Sequence, residues 1–391
     1  MTKSKRRRIG VGMLGYGFMG KVHTECYRML RMWYETLPVE VRFVGVATKH
    51  LETAEFAVEQ AGYDFGTTDW REVVEHPDVD VVNICTPNAL HFEQAMGAIQ
   101  SGKHVYCDKP LTTNPEHART MANAAQRAGV VHQVTQNYRF VPATLRAKQL
   151  VDEGLLGRPY SFRAAYLHSG SSDPERPAGW KMQDGGTLHD LGAHVVDLVR
   201  HLWGDFAEVL AHRQVFVPSR PVRAGASERV PISGDDAAWM LAKLANGAIG
   251  TIETNKVATG TEDELRIELH GEKGAIRFNL MEPNWLDVYD ARAEDGPYGG
   301  NRGFLRIATC SRRNEPSVIP PPRGAAGWMQ FHLASLHSFV GNVLRGCAGH
   351  PDFFDGWAVH EVLAAAEESS RTGNWVRVRT VNHRSGAEEQ R

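Results

Sequence analysis

The segment RIGVGMLGYGFMG, residues 8–20, decides how this chain folds. Residues 8–14 form a short apolar run that predicts a buried β-strand, and residues 21–32 can continue as a helix. Gly15, Gly17 and Gly20 therefore fall in the turn between them, with the spacing G-x-G-x-x-G. The first glycine permits the tight turn, the second lets the backbone approach a diphosphate, and the third lets the helix pack on the strand. Because phosphates bind at the start of a helix, this stretch predicts a dinucleotide site rather than an ordinary βα turn.

The first half of the chain continues this alternation of strand and helix. The further strands are predicted at Val41–Ala47, Val79–Cys85, His104–Cys107 and Val130–Val134, and the helices at Leu51–Ala61, His91–Gln100 and Pro115–Ala128. Strands joined by helices form right-handed βαβ crossovers and a parallel sheet. Residues 1–138 are therefore predicted to form an α/β domain with a doubly wound Rossmann sheet.

Residues 139–391 have a different pattern, in which strand candidates follow one another through short turns. The strands are predicted at Tyr160–Leu167, Glu208–Val217, Ala237–Ala245, Ala248–Lys256, Glu264–His270 and Ala275–Leu280. Helices are predicted at Pro142–Glu153, Leu191–Trp203, Phe331–Leu344 and Gly356–Ser370, and a long loop at Arg292–Gly327. Turn signals at Asn246-Gly247 and Gly271–Gly274 favour hairpins. We therefore expect a second, α+β domain with a mostly antiparallel open sheet.

Length and composition limit the classes of protein that this chain can be. Its 391 residues suggest about two or three domains, and 42% hydrophobic residues are enough for a folded core. The 44 Lys and Arg residues nearly balance the 46 Asp and Glu residues, which argues against a nucleic-acid partner. The basic start, Lys3–Arg8, leads into no long apolar stretch, so we expect neither signal peptide nor membrane helix. Five cysteines without a C-x-x-C pair suit a reducing compartment, and the cytoplasm is expected.

The end of the second predicted strand bears on the choice between NAD and NADP. In this fold an acidic residue there binds the ribose hydroxyls of NAD. This chain has Thr48 and Lys49 instead, with no Asp or Glu until Glu52. A hydroxyl followed by a cation can bind a 2′-phosphate, which leans toward NADP. The alternative is that Lys49 is solvated or lies over the adenine and that NAD is used.

Four motifs stand in a characteristic order along the chain. They are the glycine-rich turn Gly15–Gly20, TPNALH at Thr86–His91, VYCDKP at Val105–Pro110 and GGTLHDLGAH at Gly185–His194. Together with Phe353–Gly356, they resemble the glucose–fructose oxidoreductase / inositol dehydrogenase / MocA (Gfo/Idh/MocA) family of sugar and polyol dehydrogenases. The resemblance covers nearly the whole chain and is closest to levoglucosan- and inositol-dehydrogenase-like members.

The resemblance implies that Lys109, Asp190 and His194 are catalytic. The family has Glu-Lys-Pro where this chain has Asp108–Pro110, and it implies a cis Lys109–Pro110 bond. Taken singly, Asp190 suggests the cap of a helix that begins at Leu191, and His194 suggests a core histidine. A histidine suits the base that removes a hydroxyl proton near neutral pH, and Lys109 would stabilise negative charge on the reacting oxygen. Asp190 would accept a second sugar hydroxyl or hold Lys109 and His194 in position.

The motifs and the resemblance together give the residues expected to bind cofactor and substrate. We expect the cofactor to contact Gly15, Gly17, Phe18, Met19, Gly20, Thr48, Lys49, Thr86, Pro87, Asn88, His91, Asp108, Lys109 and Gln136. We expect the substrate to contact Lys109, Asn137, Arg139, Trp180, His189, Asp190 and His194. The 18 histidines show no metal-ligand spacing, and no metal is expected.

These patterns predict an NAD(P)-dependent oxidoreductase that transfers a hydride between nicotinamide and a secondary hydroxyl of a sugar, glycoside, anhydrosugar or inositol. One alternative is an enzyme that keeps NAD bound and cleaves glycosides through transient oxidation. Another is a regulator that senses the dinucleotide without catalysis, although the presence of Lys109, Asp190 and His194 argues against it. The resemblance also implies a homodimer or homotetramer acting on a small sugar or polyol. The charge balance and the lack of a long apolar stretch argue against nucleic acid or a membrane as partner.

Overall fold

The structure, a computed structural model, describes residues 7–35, 37–182, 185–310 and 324–381. These residues divide into two compact units. Unit 1 comprises the described residues of Met1–Phe140 and Ser311–Trp357, and unit 2 comprises those of Val141–Cys310 and Ala358–Arg391. The chain first passes from unit 1 to unit 2 after Phe140, within two residues of the predicted boundary at 138. The prediction that the whole of 139–391 is one domain differs from the structure, because the second segment of unit 1 falls inside it.

Unit 1 is built on a six-stranded parallel sheet with the strand order β3-β2-β1-β4-β5-β6. Its strands are β1 (Arg7–Leu14), β2 (Val39–Ala47), β3 (Phe65–Thr67), β4 (Val81–Ile84), β5 (His104–Cys107) and β6 (His132–Val134). The helices among them are α1 (Phe18–Trp33), α2 (Leu51–Ala61), α3 (Trp70–Glu75), α4 (Asn88–Gln100) and α5 (Pro115–Ala128). The predicted doubly wound sheet is confirmed. Sequence reasoning missed β3 and α3, which are too short to give a periodic pattern.

Unit 2 is built on a nine-stranded sheet with the order β16-β15-β14-β13-β7-β12-β11-β8-β17. The strands are β7 (Pro159–Leu167), β8 (Phe206–Gln214), β11 (Ala237–Leu244), β12 (Ile249–Asn255), β13 (Glu264–Gly271), β14 (Gly274–Asn279), β15 (Trp285–Asp290), β16 (Leu305–Ala308) and β17 (Val376–Arg377), with β9 (Ser219–Pro221) and β10 (Arg229–Pro231) forming a separate pair. All neighbours in the large sheet run antiparallel except β7 and β12, which are parallel. The predicted, mostly antiparallel sheet is confirmed. Strand β16 lies inside the predicted loop Arg292–Gly327.

The helices of unit 2 include α6 (Pro142–Asp152), α7 (Gly186–Asp190) and α8 (Gly192–Trp203). Helix α8 packs on β7, β12 and β13. Two further helices, α9 (Trp328–Arg345) and α10 (Phe353–Thr372), lie between β16 and β17. Helix α10 contributes its first residues to unit 1 and the rest to unit 2. No helix among the described residues is long and apolar enough to span a membrane.

Helix α9 explains why its part of the chain belongs to unit 1. Leu333, Leu336 and Phe339 are fully buried in one hydrophobic cluster with side chains of α1, β1 and β4. The hydroxyl of Ser335 lies 2.8 Å from that of Tyr106 on β5. The hydrophobic core of unit 1 therefore includes α9 as well as the parallel sheet and the helices α1–α5. The second segment of unit 1 is thus part of the core that supports the glycine-rich turn.

The packing of α9 can be tested at Phe339. We expect Phe339→Ala to lower the free energy of unfolding by about 3–5 kcal/mol, because it removes a ring from a packed core. Met32→Ala on α1, where the side chain is 63% exposed, is the control and should change stability by less than about 0.5 kcal/mol. Urea unfolding monitored by fluorescence measures both variants. A Phe339→Ala midpoint equal to that of the wild type would contradict the placement of α9.

Candidate active site

The glycine-rich turn lies between β1 and α1, as predicted. Gly15 has a left-handed backbone (φ 89°), and its N–H donates to the Ala47 carbonyl over 2.8 Å. A Cβ added at Gly20 would lie 2.2 Å from the Gly15 oxygen, whereas a Cβ at Gly17 would meet no atom within 4 Å. No side chain of the described residues caps α1 at Gly17. The helix therefore presents uncapped N–H groups at an open position, which suits phosphate oxygens.

A pocket opens beside this turn, at the carboxyl ends of β1, β2 and β4. It is lined by Gly15, Tyr16, Gly17, Ala47, Thr48, Lys49, His50, Thr53, Thr68, Trp70, Cys85, Thr86, Pro87, Leu90 and Gln94. None of these lining residues carries a carboxylate, and Thr48 Oγ1 donates to the His50 carbonyl over 2.7 Å. Ligands of doubly wound sheets bind at this edge. The turn and the pocket together therefore fit a dinucleotide, and they include most of the predicted cofactor contacts that follow β1, β2 and β4.

Lys109 follows β5, and its peptide bond to Pro110 is cis, as the resemblance implies. The Asp108 carboxylate accepts a hydrogen bond from the Lys109 backbone N–H over 2.8 Å. His332 of α9 lies within electrostatic reach: burial lowers its pKa well below the ordinary value, and His23 and Lys109 lower it further. Sequence reasoning missed this neutral imidazole because α9 is far from Lys109 along the chain and carries no motif.

His91 differs from its prediction as a direct cofactor contact. Its ring is fully buried, with Nε2 2.8 Å from the Thr86 carbonyl oxygen and Nδ1 3.1 Å from the Pro110 carbonyl oxygen. Burial lowers the pKa of His91, so a neutral ring donates to one of these oxygens. Because both nitrogens face backbone carbonyls, His91 fastens the turn after β4 to the turn after β5. Asn88, another predicted contact, begins α4 in the same turn.

Two predicted contacts after β6 offer polar atoms to a ligand. Gln136 and Asn137 are each 2% exposed. Gln136 Oε1 and Asn137 Nδ2 have no hydrogen-bond partner within the part of the chain that the structure describes. Buried polar atoms are nearly always paired in folded proteins. These two atoms therefore fit the hydroxyl or carboxamide groups of a bound cofactor or substrate.

Arg139 does not fit its predicted role in binding substrate hydroxyls. Its side chain is buried, with Nη2 3.3 Å from Oδ1 of Asp355, where it compensates a buried carboxylate. Nδ1 of His350 lies 3.0 Å from the same carboxylate, and this hydrogen bond raises the pKa of His350. Among the described residues, His350, Asp352 and Asp355 are one group whose ligand atoms lie within 4.8 Å of one another, as a metal would require. Arg139 already supplies positive charge there.

Unit 2 carries Asp190 and His194 on two successive helices. The predicted helix Leu191–Trp203 is in fact α8, beginning at Gly192, and Asp190 is the last residue of α7. Asp190 is therefore not a helix cap; its Oδ2 lies 2.6 Å from Nζ of Lys256. His194 is 6% exposed, and its ring centroid lies 5.9 Å from that of Tyr166. A carboxylate and an imidazole are thus held by the same pair of helices.

His189 differs from its prediction as a substrate contact. Its Nε2 lies 3.2 Å from Oε1 of Glu367 on α10, and Arg213 donates to the same oxygen over 3.0 Å. Glu367, which is also paired with Arg213, therefore holds the His189 ring inside unit 2. Trp180, in the short 3₁₀ helix Trp180–Met182, is 43% exposed and retains the area that a sugar face would need.

Helix α7 is held in place by two acidic residues directly before β11. The N–H of Leu188 donates to Asp235 Oδ2, and the N–H of Thr187 donates to the Asp235 carbonyl, each over 2.9 Å. The Thr187 hydroxyl donates to the Asp236 carbonyl over 3.1 Å. Sequence reasoning missed Asp235 and Asp236; the signal that could have found them is a pair of acidic residues directly before an apolar strand.

The glycine-rich pocket at the edge of the doubly wound sheet is typical of dinucleotide-binding proteins, and comparisons with known proteins give the family. A model described as "Oxidoreductase family, NAD-binding Rossmann fold" matches residues 9–136. A model described as "GFO/IDH/MocA C-terminal domain" matches residues 144–277. The chain belongs to the Gfo/Idh/MocA family of oxidoreductases, which confirms the family prediction.

Similar proteins extend over nearly the whole chain. Levoglucosan dehydrogenase of Pseudarthrobacter phenanthrenivorans is 34% identical over 96% of this chain and 100% of its own length. D-glucoside 3-dehydrogenase of Escherichia coli is 26% identical over 96% of this chain and 98% of its own length. A solved structure of levoglucosan dehydrogenase in complex with NADH and levoglucosan has a TM-score of 0.90 and 33% identity, covering 95% of this chain and 100% of that one.

The open position over Gly17 can be tested directly. We expect Gly17→Ala to weaken NADH binding at least about tenfold, because the methyl group would occupy the space in which the diphosphate approaches the backbone. Its unfolding midpoint should stay at the wild-type value, since a Cβ there meets no protein atom within 4 Å. Titration of NADH fluorescence measures the affinity. Wild-type affinity in a folded Gly17→Ala protein would contradict this assignment of the diphosphate position.

Proposed function

We propose that this protein is a dehydrogenase that oxidises a secondary hydroxyl of a sugar, anhydrosugar or glycoside with NAD. The observation that carries this proposal is the combination of the glycine-rich pocket with Lys109, Asp190 and His194 in a chain that aligns with levoglucosan dehydrogenase over nearly its full length. The two alternatives, an NAD-retaining glycosidase and a non-catalytic sensor, find no support in the two relatives described above, both of which are named as dehydrogenases.

Each of the three polar residues has a role in this reaction. His194 takes the proton of the reacting hydroxyl during oxidation and returns it during reduction, because imidazole titrates near neutral pH. The Lys109 ammonium donates a hydrogen bond to the reacting oxygen and stabilises its negative charge. Asp190 accepts a hydrogen bond from a second hydroxyl and so orients the ring. NAD, when bound, accepts the hydride that leaves the carbinol carbon.

The choice of cofactor follows from the end of β2. NAD is supported by the family description and by the NADH complex of the related dehydrogenase. We propose that NADP is accepted as well, because Lys49 is exposed at the pocket and no carboxylate is among the lining residues to repel a 2′-phosphate. The free cysteines favour a reducing compartment, and we place the protein in the cytoplasm.

We also propose that the protein is a homo-oligomer that associates through the sheet of unit 2. Side chains of β11 alternate, so Met240 and Ala242 are buried while Trp239 and Leu241 are exposed on the other face. Ile249 of the neighbouring β12 is exposed as well. Large apolar side chains that lie together on an exposed sheet face are typical of a protein interface.

The proposed reaction is tested with a panel of sugars, anhydrosugars and inositols, with NAD and NADP supplied separately. We expect absorbance of reduced nicotinamide to rise with at least one sugar, and Lys109→Ala and His194→Ala each to lower kcat by at least about 100-fold. Lys148→Ala, on the surface of α6, is the control and should retain wild-type kcat. Aglycone release without reduced nucleotide, or full kcat in either active-site variant, would sink the proposal.

Association through the sheet is tested with the double variant Trp239→Asp, Leu241→Asp. We expect light scattering after size-exclusion chromatography to show a smaller mass than that of the wild type, because two carboxylates would lose water in an apolar interface. Met32→Asp, at an apolar position of unit 1 that is 63% exposed, should keep the wild-type mass. A double variant with the same mass as the wild type, or a wild type that is itself a monomer, would rule out association through this sheet.

A further inference from the structure

The parallel pair β7 and β12 places two polar residues at one edge of the sheet of unit 2. Leu167 and Asn255 are paired at the carboxyl ends of these strands, and the following residues are His168 and Lys256. The His168 N–H donates to the Asn255 carbonyl over 2.9 Å, which keeps the two ends together. Because the strands run in the same direction, their following residues emerge side by side rather than at opposite edges.

Lys256 is buried at this edge and is bonded to Asp190. Lys256 as a whole is 8% exposed, and its Nζ lies 2.6 Å from Asp190 Oδ2. The side chains of Lys256 and Asp190 are 11% and 13% exposed, so little water screens the two charges. Removing one partner of such a pair leaves the other charge buried and uncompensated. Lys256 therefore favours the ionised, hydrogen-bond-accepting form of Asp190.

Several other titratable and charged groups surround this pair. Burial lowers the pKa of His168, the charge of Lys256 lowers it further, and Asp263 and Asp190 only partly offset this. Arg176 also lowers it from the loop after β7. On the neighbouring elements, the Tyr166 hydroxyl donates to Asp263 over 2.6 Å, and the His194 ring faces Tyr166. Lys256 is thus a cation in direct contact with the Asp190 carboxylate.

We propose that Lys256 is a positioning residue of the dehydrogenase reaction, holding Asp190 ionised and in one orientation so that its carboxylate accepts a hydrogen bond from a substrate hydroxyl. This inference rests on the proposed function. Lys256 acts through Asp190 and does not touch the reacting atoms. A substrate without a hydroxyl group at the position that faces Asp190 would gain no affinity from the Lys256–Asp190 ion pair.

The pH profile separates positioning from a merely structural role. In Lys256→Met, Asp190 should take up a proton at higher pH than in the wild type, because its counter-charge is gone. We expect kcat/KM to fall at least about tenfold at neutral pH, mostly through KM, and to recover as pH rises. Lys256→Arg should restore most of the loss. Lys148→Met, which breaks the exposed pair with Asp152 on α6, should change neither parameter.

A double variant tests whether Lys256 acts through Asp190. If it does, adding Lys256→Met to Asp190→Asn should lower kcat/KM by less than about twofold beyond Asp190→Asn alone, because the carboxylate it serves is already gone. Losses that multiply would contradict the proposal and would mean that Lys256 contacts the substrate itself. Lys256→Gln carries the same expectations, so an unfolded Lys256→Met protein leaves the test in place.

The pKa of His168, measured by NMR on the wild type and on Lys256→Met, gives a readout without turnover. It should rise in the variant, since a positive charge that lowers it is removed. In the Asp190→Asn background, where residue 190 cannot take up a proton, an unchanged His168 pKa on adding Lys256→Met contradicts the place of Lys256 beside this edge, whether or not the protein turns over a sugar. A wild type that oxidises no sugar overturns the proposed function, whereas an active Lys256→Met with a wild-type pH profile overturns only the role of Lys256.

Discussion

Parallel strands end at the same edge of a sheet, and within each unit this constraint places the candidate functional residues. In unit 1 the residues that follow β1, β2 and β4 form the glycine-rich turn, the Thr48–Lys49 corner and the Thr86–Pro87 segment of one pocket. Lys109 follows the next parallel strand, β5. In unit 2 the single parallel pair, β7 and β12, places His168 beside Lys256. Chain direction thus gathers side chains that are far apart in sequence.

The Rossmann sheet and its glycine-rich turn were predictable because their determinants are local. A strand, a turn and a helix follow one another within residues 8–32, and each glycine has a backbone reason that the structure bears out at Gly15 and Gly20. The place of α9 was not predictable in this way. Its buried face resembles that of any amphipathic helix, and nothing in its sequence says which of two apolar cores it joins.

The candidate site was predictable residue by residue only where a motif names the residue. His91, Arg139 and His189 lie in motifs or beside them, yet their partners are the Pro110 carbonyl, Asp355 and Glu367, which are brought to them by the fold. Buried polar groups must be paired, and tertiary structure decides with what. Lys256 was missed for the same reason, since one lysine after an apolar strand gives no sign that it meets Asp190.

Transfer of a hydride from a sugar carbon to nicotinamide can be followed by isotope labelling. The protein is incubated with NAD and a sugar from the panel that is deuterated at every ring carbon, and the nicotinamide product is analysed by NMR. We expect one deuterium at nicotinamide C4 for each sugar oxidised. Reduced nicotinamide without deuterium, or a changed sugar with no reduced nicotinamide, would contradict it.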